Sequence, residues 1–208
     1  VKALIATGCM AERYKDEILE EIPEVDEVLG TTAYDKRLDA VDAALEGNQE
    51  VILSDIDALP LPETKRLVTT GGHFAYLKIA EGCDHSCSFC TIPSIRGPYT
   101  SKPLEDCVEE ARRLAGAGVA ELNVIAQDTT RYGTDLPGRP HLCDLIAQLH
   151  AIEGLRWIRV LYAYPGPQLD RLAGAMAEFP KLCRYLDVPL QHSDRKVLRA
   201  MRRPGDGG

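Results

Sequence analysis

Three cysteines close together in one short segment are the residues of this chain most able to do chemistry. Cys83, Cys87 and Cys90 are separated by three and by two residues, and no fourth cysteine or ligand-spaced histidine pair follows nearby. Iron–sulfur sites of the ferredoxin type supply four thiolates to their cluster. Three thiolates on one loop therefore predict a four-iron cluster with one iron left open. An open coordination position distinguishes a catalytic metal site from a closed structural one.

A structural zinc ion is the alternative for the same cysteines. Zinc usually takes four protein ligands, often as two short pairs separated by a longer stretch. His85 could complete such a set, but it lies inside the loop, where wrapping a tetrahedral ion is awkward. Cysteines also pack as small apolar residues, but this segment is polar and lies between Gly82 and Pro93. The spacing favours the cluster and leaves zinc as the second hypothesis.

The cysteine segment resembles the signature of the radical S-adenosylmethionine (SAM) enzymes, with an aromatic residue, Phe89, directly before the third cysteine. The resemblance implies a 4Fe–4S cluster on Cys83, Cys87 and Cys90, with S-adenosylmethionine on the open iron. It also implies a cofactor-binding role for Phe89. One electron from the cluster then cleaves the cofactor to a 5′-deoxyadenosyl radical, which abstracts a hydrogen atom. The cofactor supplies this chemistry, while the protein provides orientation and a water-poor chamber.

A second motif resembles one branch of that family, the methylthiotransferases. The run at 7–13, Thr-Gly-Cys-Met-Ala-Glu-Arg, is similar to the last cysteine motif of their N-terminal domain. That domain binds a second 4Fe–4S cluster through three cysteines. The resemblance implies that Cys9 is one of these ligands and that the other two lie upstream of this sequence. Taken alone, a single cysteine after a strand is more often a core or turn residue.

A third motif indicates the substrate. The run at 126–133, Ala-Gln-Asp-Thr-Thr-Arg-Tyr-Gly, resembles the methylthiotransferases that modify an aspartate of small-subunit ribosomal protein twelve. The run at 161–165, Leu-Tyr-Ala-Tyr-Pro, is also similar to that type. The tRNA-modifying relatives typically carry Gln-Asn-Val-Asn at the first of these places. Methylthiolation of a tRNA adenosine, with nucleic acid as the partner, is therefore the alternative within the family.

The resemblance to the ribosomal-protein type implies the rest of the reaction. A methylthio group replaces a hydrogen atom on the aspartate β-carbon, with the second cluster carrying the sulfur and methyl group. A second S-adenosylmethionine is the methyl donor, and a flavodoxin or ferredoxin supplies electrons. Gln127 is expected to bind cofactor. No catalytic acid or base is assigned, because the β-carbon has no proton acidic enough for ordinary base catalysis.

Alternating strand and helix patterns predict an α/β fold. In the first part of the chain, strands are predicted at 1–6, 25–29 and 51–56, with helices near 11–22 and 34–45. In the second part, strands are predicted at 74–80, 121–126, 157–162 and 185–188, with helices near 104–115, 142–150, 169–178 and 195–201. Four βα units predict a partial TIM-like barrel, with active residues at the C-terminal strand ends. The cysteine loop, Gln127-Asp128 and Gln191-His192 all fall at such ends.

These patterns divide the chain into three parts. Residues 1–57 are predicted to be the C-terminal part of a methylthiotransferase N-terminal domain with a parallel sheet. Residues 58–72, rich in proline, glycine and threonine, are predicted to be a linker, and residues 73–208 a radical SAM core. Radical SAM enzymes usually have six βα units, and a small β-barrel normally follows them in this branch. We therefore expect this sequence to be a fragment truncated at both ends.

Charge and cysteine usage limit the environment and partners of the chain. Residues 1–72 carry 16 acidic and 7 basic side chains, a balance of −9, whereas the remainder has a balance of +1. The acidic segment argues against a broad nucleic-acid surface there, because phosphate binding relies on clustered Lys and Arg. The sequence contains no stretch of about eighteen apolar residues, so no membrane span is predicted. Seven cysteines, only three of them clustered, do not form a secreted disulfide framework, so a reducing cytoplasm is predicted.

Four scattered residues have weaker interpretations. Cys107, Cys143 and Cys183 occur singly in segments predicted to be helical, and core packing is the favoured account of them. Arg96 follows soon after the cysteine loop. It could pair with a carboxylate of cofactor or substrate, or be solvated.

Overall fold

The computed structural model describes residues 2–56, 68, 69 and 71–203. The chain divides into two compact units, Val1–Leu61 with Thr91–Pro98, and Pro62–Cys90 with Tyr99–Gly208. The segment Thr91–Pro98 thus groups with the first unit although it follows the cysteine loop in sequence. Most of the predicted linker at 58–72 lies outside the described residues. The predicted domain limits at 57 and 73 stay predictions.

The first unit contains a parallel sheet with three short strands. The strands are β1 (Ile5–Thr7), β2 (Glu27–Leu29) and β3 (Glu50–Ile52), in the order β1-β2-β3. The helices are α1 (Cys9–Glu21), a 3₁₀ turn (Tyr34–Lys36), α2 (Arg37–Leu45) and α3 (Ile92–Arg96). The central strand β2 is buried along its whole length, because it has a neighbour on each side and apolar residues of α1 and α2 pack in the same unit. The predicted parallel α/β arrangement is confirmed.

The second unit is built on another parallel sheet. Its strands are β4 (Phe74–Lys78), β5 (Ala80–Glu81), β6 (Thr100–Ser101), β7 (Glu121–Ile125) and β8 (Trp157–Val160). Strands β4, β7 and β8 are parallel neighbours in that order, while β5 and β6 form a separate antiparallel pair. The helices are α4 (Leu104–Gly116), α5 (Leu142–His150), α6 (Gln168–Glu178) and α7 (Arg195–Ala200). This βα alternation confirms the predicted partial barrel.

Helix α4 shows how the sequence pattern becomes a core. Its buried face carries Cys107, Val108, Ala111 and Leu114, spaced as one stripe of an amphipathic helix. These side chains belong to the same core as Leu122 and other buried residues of the central strands. Cys107 is therefore a core residue, as predicted. Among the described residues, no helix is long and apolar enough to cross a membrane.

The predicted strand at 185–188 is wrong. Only Leu182 pairs with β8, through an isolated parallel bridge to Ile158, and residues 185–190 have no regular structure. The amides of Tyr185 and Leu190 donate to carbonyl groups two residues earlier, at 2.8 and 2.9 Å. Pro189 has no amide to give to a ladder. Local turns therefore use the backbone groups that a fourth strand would need. Cys183, predicted within a helix, also lies in irregular structure.

Candidate functional site

The three clustered cysteines lie on one loop that begins directly after β5. Gly82 turns the chain with a φ of 76°, a left-handed conformation that glycine adopts without strain. The Cys90 amide donates to the Cys87 carbonyl group at 3.1 Å, which closes a turn between the last two cysteines. Cys83 is buried, and Cys87 and Cys90 are partly exposed. No cysteine in the described part of the chain forms a disulfide. The loop therefore presents three thiols from one short stretch of backbone.

Hydrogen-bond donors point at sulfur atoms of this loop. The His85 amide lies 3.4 Å from Cys83 Sγ, and Arg203 Nη1 lies 3.9 Å from Cys87 Sγ. Such donors stabilise a thiolate. Burial raises the pKa of the Cys83 thiol, while the His85 amide acts in the opposite direction. A bound cation would oppose the effect of burial, because metal ligation requires the thiolate.

The donor set suits an iron–sulfur cluster. Thiolates are soft ligands of the kind that hold such clusters. Within the described residues, no group of three or more His, Cys, Asp or Glu side chains is gathered tightly enough to hold a single metal ion. A four-iron cluster binds each thiolate at a different iron, so its ligands stand farther apart than those around one ion. The three thiols therefore provide the kind of donor that such a cluster uses.

His85 is committed to protein contacts. Its Nε2 lies 2.8 Å from Asp128 Oδ2, and its ring stacks on Tyr164 with centroids 3.7 Å apart. Asp128 is 2% exposed and also accepts from the Thr130 amide at 3.0 Å, which caps the 3₁₀ turn Thr129–Arg131. His85 therefore anchors the cysteine loop to the end of β7. This use of the ring argues against His85 as a fourth zinc ligand.

A second set of contacts holds the same loop through Asp84. Its Oδ1 accepts from the Tyr99 amide at 2.9 Å, and its Oδ2 pairs with Arg131 at 2.6 Å. The Tyr99 hydroxyl in turn donates to the Asp128 carbonyl group at 2.9 Å. Burial raises the pKa of Tyr99 above its ordinary value, so this hydroxyl remains a donor at neutral pH. Two separate sets of noncovalent contacts therefore hold the cysteine loop against the end of β7.

The two predicted cofactor-binding residues lie in different surroundings. Gln127 follows β7 and donates from Nε2 to Glu81 Oε1 at 2.8 Å. Its Oε1 is buried and has no hydrogen-bond partner among the described residues, so its capacity to accept a hydrogen bond is unused there. Phe89 is 53% exposed, as expected of a residue that would cover a bound group. Both cofactor-binding roles stay predictions.

Cys9 lies in the first unit, at the first position of α1 after Gly8, and is exposed. Arg96 Nη2 donates to Cys9 Sγ at 3.2 Å, within the same unit. The sequence predicts that Arg96 pairs with a carboxylate of cofactor or substrate or is solvated, and no spacing in it indicates the contact with the Cys9 thiol. The burial of Arg203 and the stack of His85 on Tyr164 are likewise not predicted from the sequence, although Tyr164 belongs to the motif at 161–165.

Comparison with known proteins defines the class. The sequence model of the Radical SAM superfamily matches residues 77–207, more than half of the chain. The chain therefore belongs to the radical SAM superfamily. Membership confirms the predicted cofactor class, a 4Fe–4S cluster with S-adenosylmethionine.

Comparison with individual proteins shows which radical SAM enzymes this chain is similar to. The chain is 49% identical over 203 residues to ribosomal protein uS12 methylthiotransferase RimO of Lachnoclostridium phytofermentans, and 48% identical over 204 residues to that of Desulforamulus reducens. Each match covers 98% of this chain and 46% of the relative, so the chain spans just under half the length of these relatives. Among solved structures, the radical S-adenosylmethionine methyltransferase TsrM from Kitasatospora setae has a TM-score of 0.49 at 20% identity, covering 66% of this chain and 25% of that one.

Proposed function

We propose that this chain is part of a radical SAM methylthiotransferase that adds a methylthio group to the β-carbon of an aspartate of ribosomal protein uS12. The observation that carries the proposal is the 49% identity to a uS12 methylthiotransferase across 98% of this chain. The motif around Gln127 supports the same choice of substrate. The arrangement of the site is compatible with it, because Gln127 follows the parallel strand β7 and the thiols follow β4 through the short strand β5. Catalytic residues of βα barrels are found at the C-terminal ends of the parallel strands.

The chain's own residues would bind and orient the reacting groups. Cys83, Cys87 and Cys90 would hold the cluster, and the buried Oε1 of Gln127 would accept a hydrogen bond from bound cofactor. When bound, the cluster and S-adenosylmethionine supply the one-electron chemistry that an unactivated C–H bond requires. Asp84 and Asp128, with their partners, keep the loop fixed so that little reorganisation is needed on binding.

Several features of the whole protein belong to the same proposal. Cys9 would be one of three ligands of a second 4Fe–4S cluster, with Arg96 beside its sulfur. Residues 1–57 would belong to the domain that carries that cluster, and residues 73–208 to the radical SAM core. The electron donor would be a flavodoxin or ferredoxin. A ribosomal-protein substrate and an oxygen-sensitive cluster both favour the cytoplasm as the place of action.

Cluster binding is tested on anaerobically reconstituted protein. We expect one 4Fe–4S cluster per chain by iron and sulfide analysis and by electron paramagnetic resonance of the reduced protein. Cys87→Ala should lose that cluster, whereas Cys143→Ala, a control on the partly exposed side of α5, should keep it. Stoichiometric zinc with no cluster signal would contradict the proposal.

The substrate is tested with the parent gene, expressed in cells that lack both the uS12 and the tRNA methylthiotransferases. We expect mass spectrometry to find a methylthio group on one aspartate of uS12 and none on tRNA adenosine. Modified tRNA with unmodified uS12 would overturn the substrate while leaving the radical chemistry in place. The four residues Gln-Asp-Thr-Thr at 127–130 are the sequence feature that favours the first outcome.

A further inference from the structure

Arg203 is a buried cation that approaches the second cysteine of the loop. Arg203 is only 9% exposed, and its Nη1 lies 3.9 Å from Cys87 Sγ. Its Nη2 donates to the Pro189 carbonyl group, and its Cζ lies 4.1 Å from the centre of the Tyr164 ring. Nε is buried without a hydrogen-bond partner among the described residues. The guanidinium is therefore held in one place, with its charge directed towards sulfur.

In the described part of the chain, this guanidinium contacts a sulfur atom, a carbonyl oxygen and an aromatic ring, none of which is a carboxylate. A buried charge is normally paired or hydrogen-bonded to an opposite charge, because its desolvation is costly. The thiolate of Cys87 would be an anionic group in contact with Arg203. A cluster on the loop would thus place negative charge beside this guanidinium.

The aromatic ring that holds Arg203 also belongs to the anchor of the loop. His85 stacks on Tyr164 at 3.7 Å and 9° between ring planes, and two flat groups this close to one ring must lie on its opposite faces. The stack His85–Tyr164–Arg203 therefore fixes the guanidinium relative to the cysteine loop. Lysine would keep the positive charge at this position but would neither stack on the ring nor form a planar fork.

We infer that Arg203 is a positioning residue that raises the reduction potential of the cluster by holding a positive charge beside the Cys87 sulfur. This rests on the proposed function, in which Cys87 is a cluster ligand. Reduction places one more electron, and hence one more negative charge, on the cluster. A fixed cation in a low-dielectric setting stabilises the reduced form more than the oxidised one. Charge and hydrogen bonds near cluster sulfurs are established determinants of such potentials.

The test compares cluster potentials, without S-adenosylmethionine, in four reconstituted proteins: the wild type, Arg203→Met, Arg203→Lys and Arg202→Met. Methionine keeps an unbranched side chain of similar length without charge. The neighbouring Arg202 is exposed, so its substitution matches the change in net charge without removing the buried contact. At the wild-type midpoint we expect Arg203→Met to show an about tenfold lower ratio of reduced to oxidised cluster, which is about 59 mV for a one-electron couple. We expect little change in this ratio for Arg203→Lys and for Arg202→Met.

The outcomes separate this inference from the proposed function. A wild-type protein without a cluster would overturn the proposed function. A loaded Arg203→Met protein with the wild-type ratio, or an equal shift in Arg202→Met, would overturn the role of Arg203. If Arg203→Met takes up no cluster, the second neutral variant Arg203→Gln is titrated instead. Cluster loss in both neutral variants, with Arg203→Lys fully loaded, would also overturn it, because the charge would then serve assembly and not potential.

Discussion

His85 Nε2 lies 2.8 Å from Asp128 Oδ2 and joins the middle of the cysteine loop to the end of strand β7 across 43 positions of sequence. The carboxylate is almost fully buried, with 3% of its side chain exposed, whereas 26% of the His85 side chain is exposed. A buried carboxylate needs several donors, and here the Thr130 amide and hydroxyl provide them together with the His85 ring. The contact therefore ties the shape of the loop to the integrity of the second unit.

A double-mutant cycle should detect this contact. We expect His85→Ala and Asp128→Ala, measured singly and together, to show a coupling free energy of about 1 to 3 kcal/mol, the range for residues in one hydrogen-bond network. Loss of the cap at Thr130 cancels in the cycle. The measurement is urea unfolding of reduced, metal-free protein, followed by the fluorescence of Trp157, the single tryptophan, on β8. The exposed His73 provides the control, since His73→Ala should not couple to Asp128→Ala. Equal coupling for both histidines would contradict the prediction.

Gly133→Ala should destabilise the second unit strongly. Gly133 has a φ of 79°, and a methyl group there would overlap the Pro140 carbonyl oxygen. Gly138→Ala is a matched control, because Gly138 has a φ of 75° but open space at the same place. We expect a cost of about 1 to 2 kcal/mol for the control, from the left-handed conformation alone. The clash should add roughly 1 to 3 kcal/mol at Gly133.

Urea unfolding followed by Trp157 fluorescence again gives both values. Equal losses at Gly133 and Gly138 would mean that the loop near Pro140 moves aside without cost. The prediction concerns the free energy of unfolding only, because Gly133 and Gly138 both lie outside the cysteine loop.

Glu27 should make the first unit less stable as the pH rises. Its side chain is fully buried on β2, and neither carboxylate oxygen has a hydrogen-bond partner among the described residues. Burial, with help from the charges of Glu50 and Asp26, raises the pKa of Glu27 above its ordinary 4.5. The folded state then binds the proton more tightly than the unfolded chain. The stabilisation is complete below pH 4.5 and is lost as the pH rises through the folded-state pKa.

Glu27→Gln should therefore raise the stability of the first unit at pH 7, by on the order of 1 kcal/mol, and change it little at pH 4. Hydrogen exchange of backbone amides in β1 and β2, measured at both pH values and corrected for intrinsic rates, reports the effect. The exposed Glu24 gives a charge-matched control, and Glu24→Gln should leave exchange in β2 nearly unchanged at both. Equal slowing of exchange in Glu24→Gln and Glu27→Gln at pH 7 would show that net charge, not burial, is responsible.

Much of the site could be predicted from sequence because its signals are local. The spacing of Cys83, Cys87 and Cys90 specifies three thiols on one loop whatever the rest of the chain does. Strand and helix periodicity likewise predicted the strands β4, β7 and β8. Gln127 follows β7, and the loop follows β4 through the short strand β5. Periodicity failed at 185–188, where the apolar pattern suits a strand but Pro189 and short-range turns remove the donors that a ladder needs.

Tertiary structure alone decided which distant side chains meet. Arg203 and Cys87 are 116 positions apart, and Arg96 and Cys9 are 87 apart, so no local pattern pairs them. An arginine in a sequence has the same charge whether it is solvated or buried. Burial beside Tyr164 is what gives Arg203 a fixed position next to the sulfur of Cys87. Residue types and spacing thus determined the chemistry available to this protein, and folding determined the electrostatic surroundings in which that chemistry would take place.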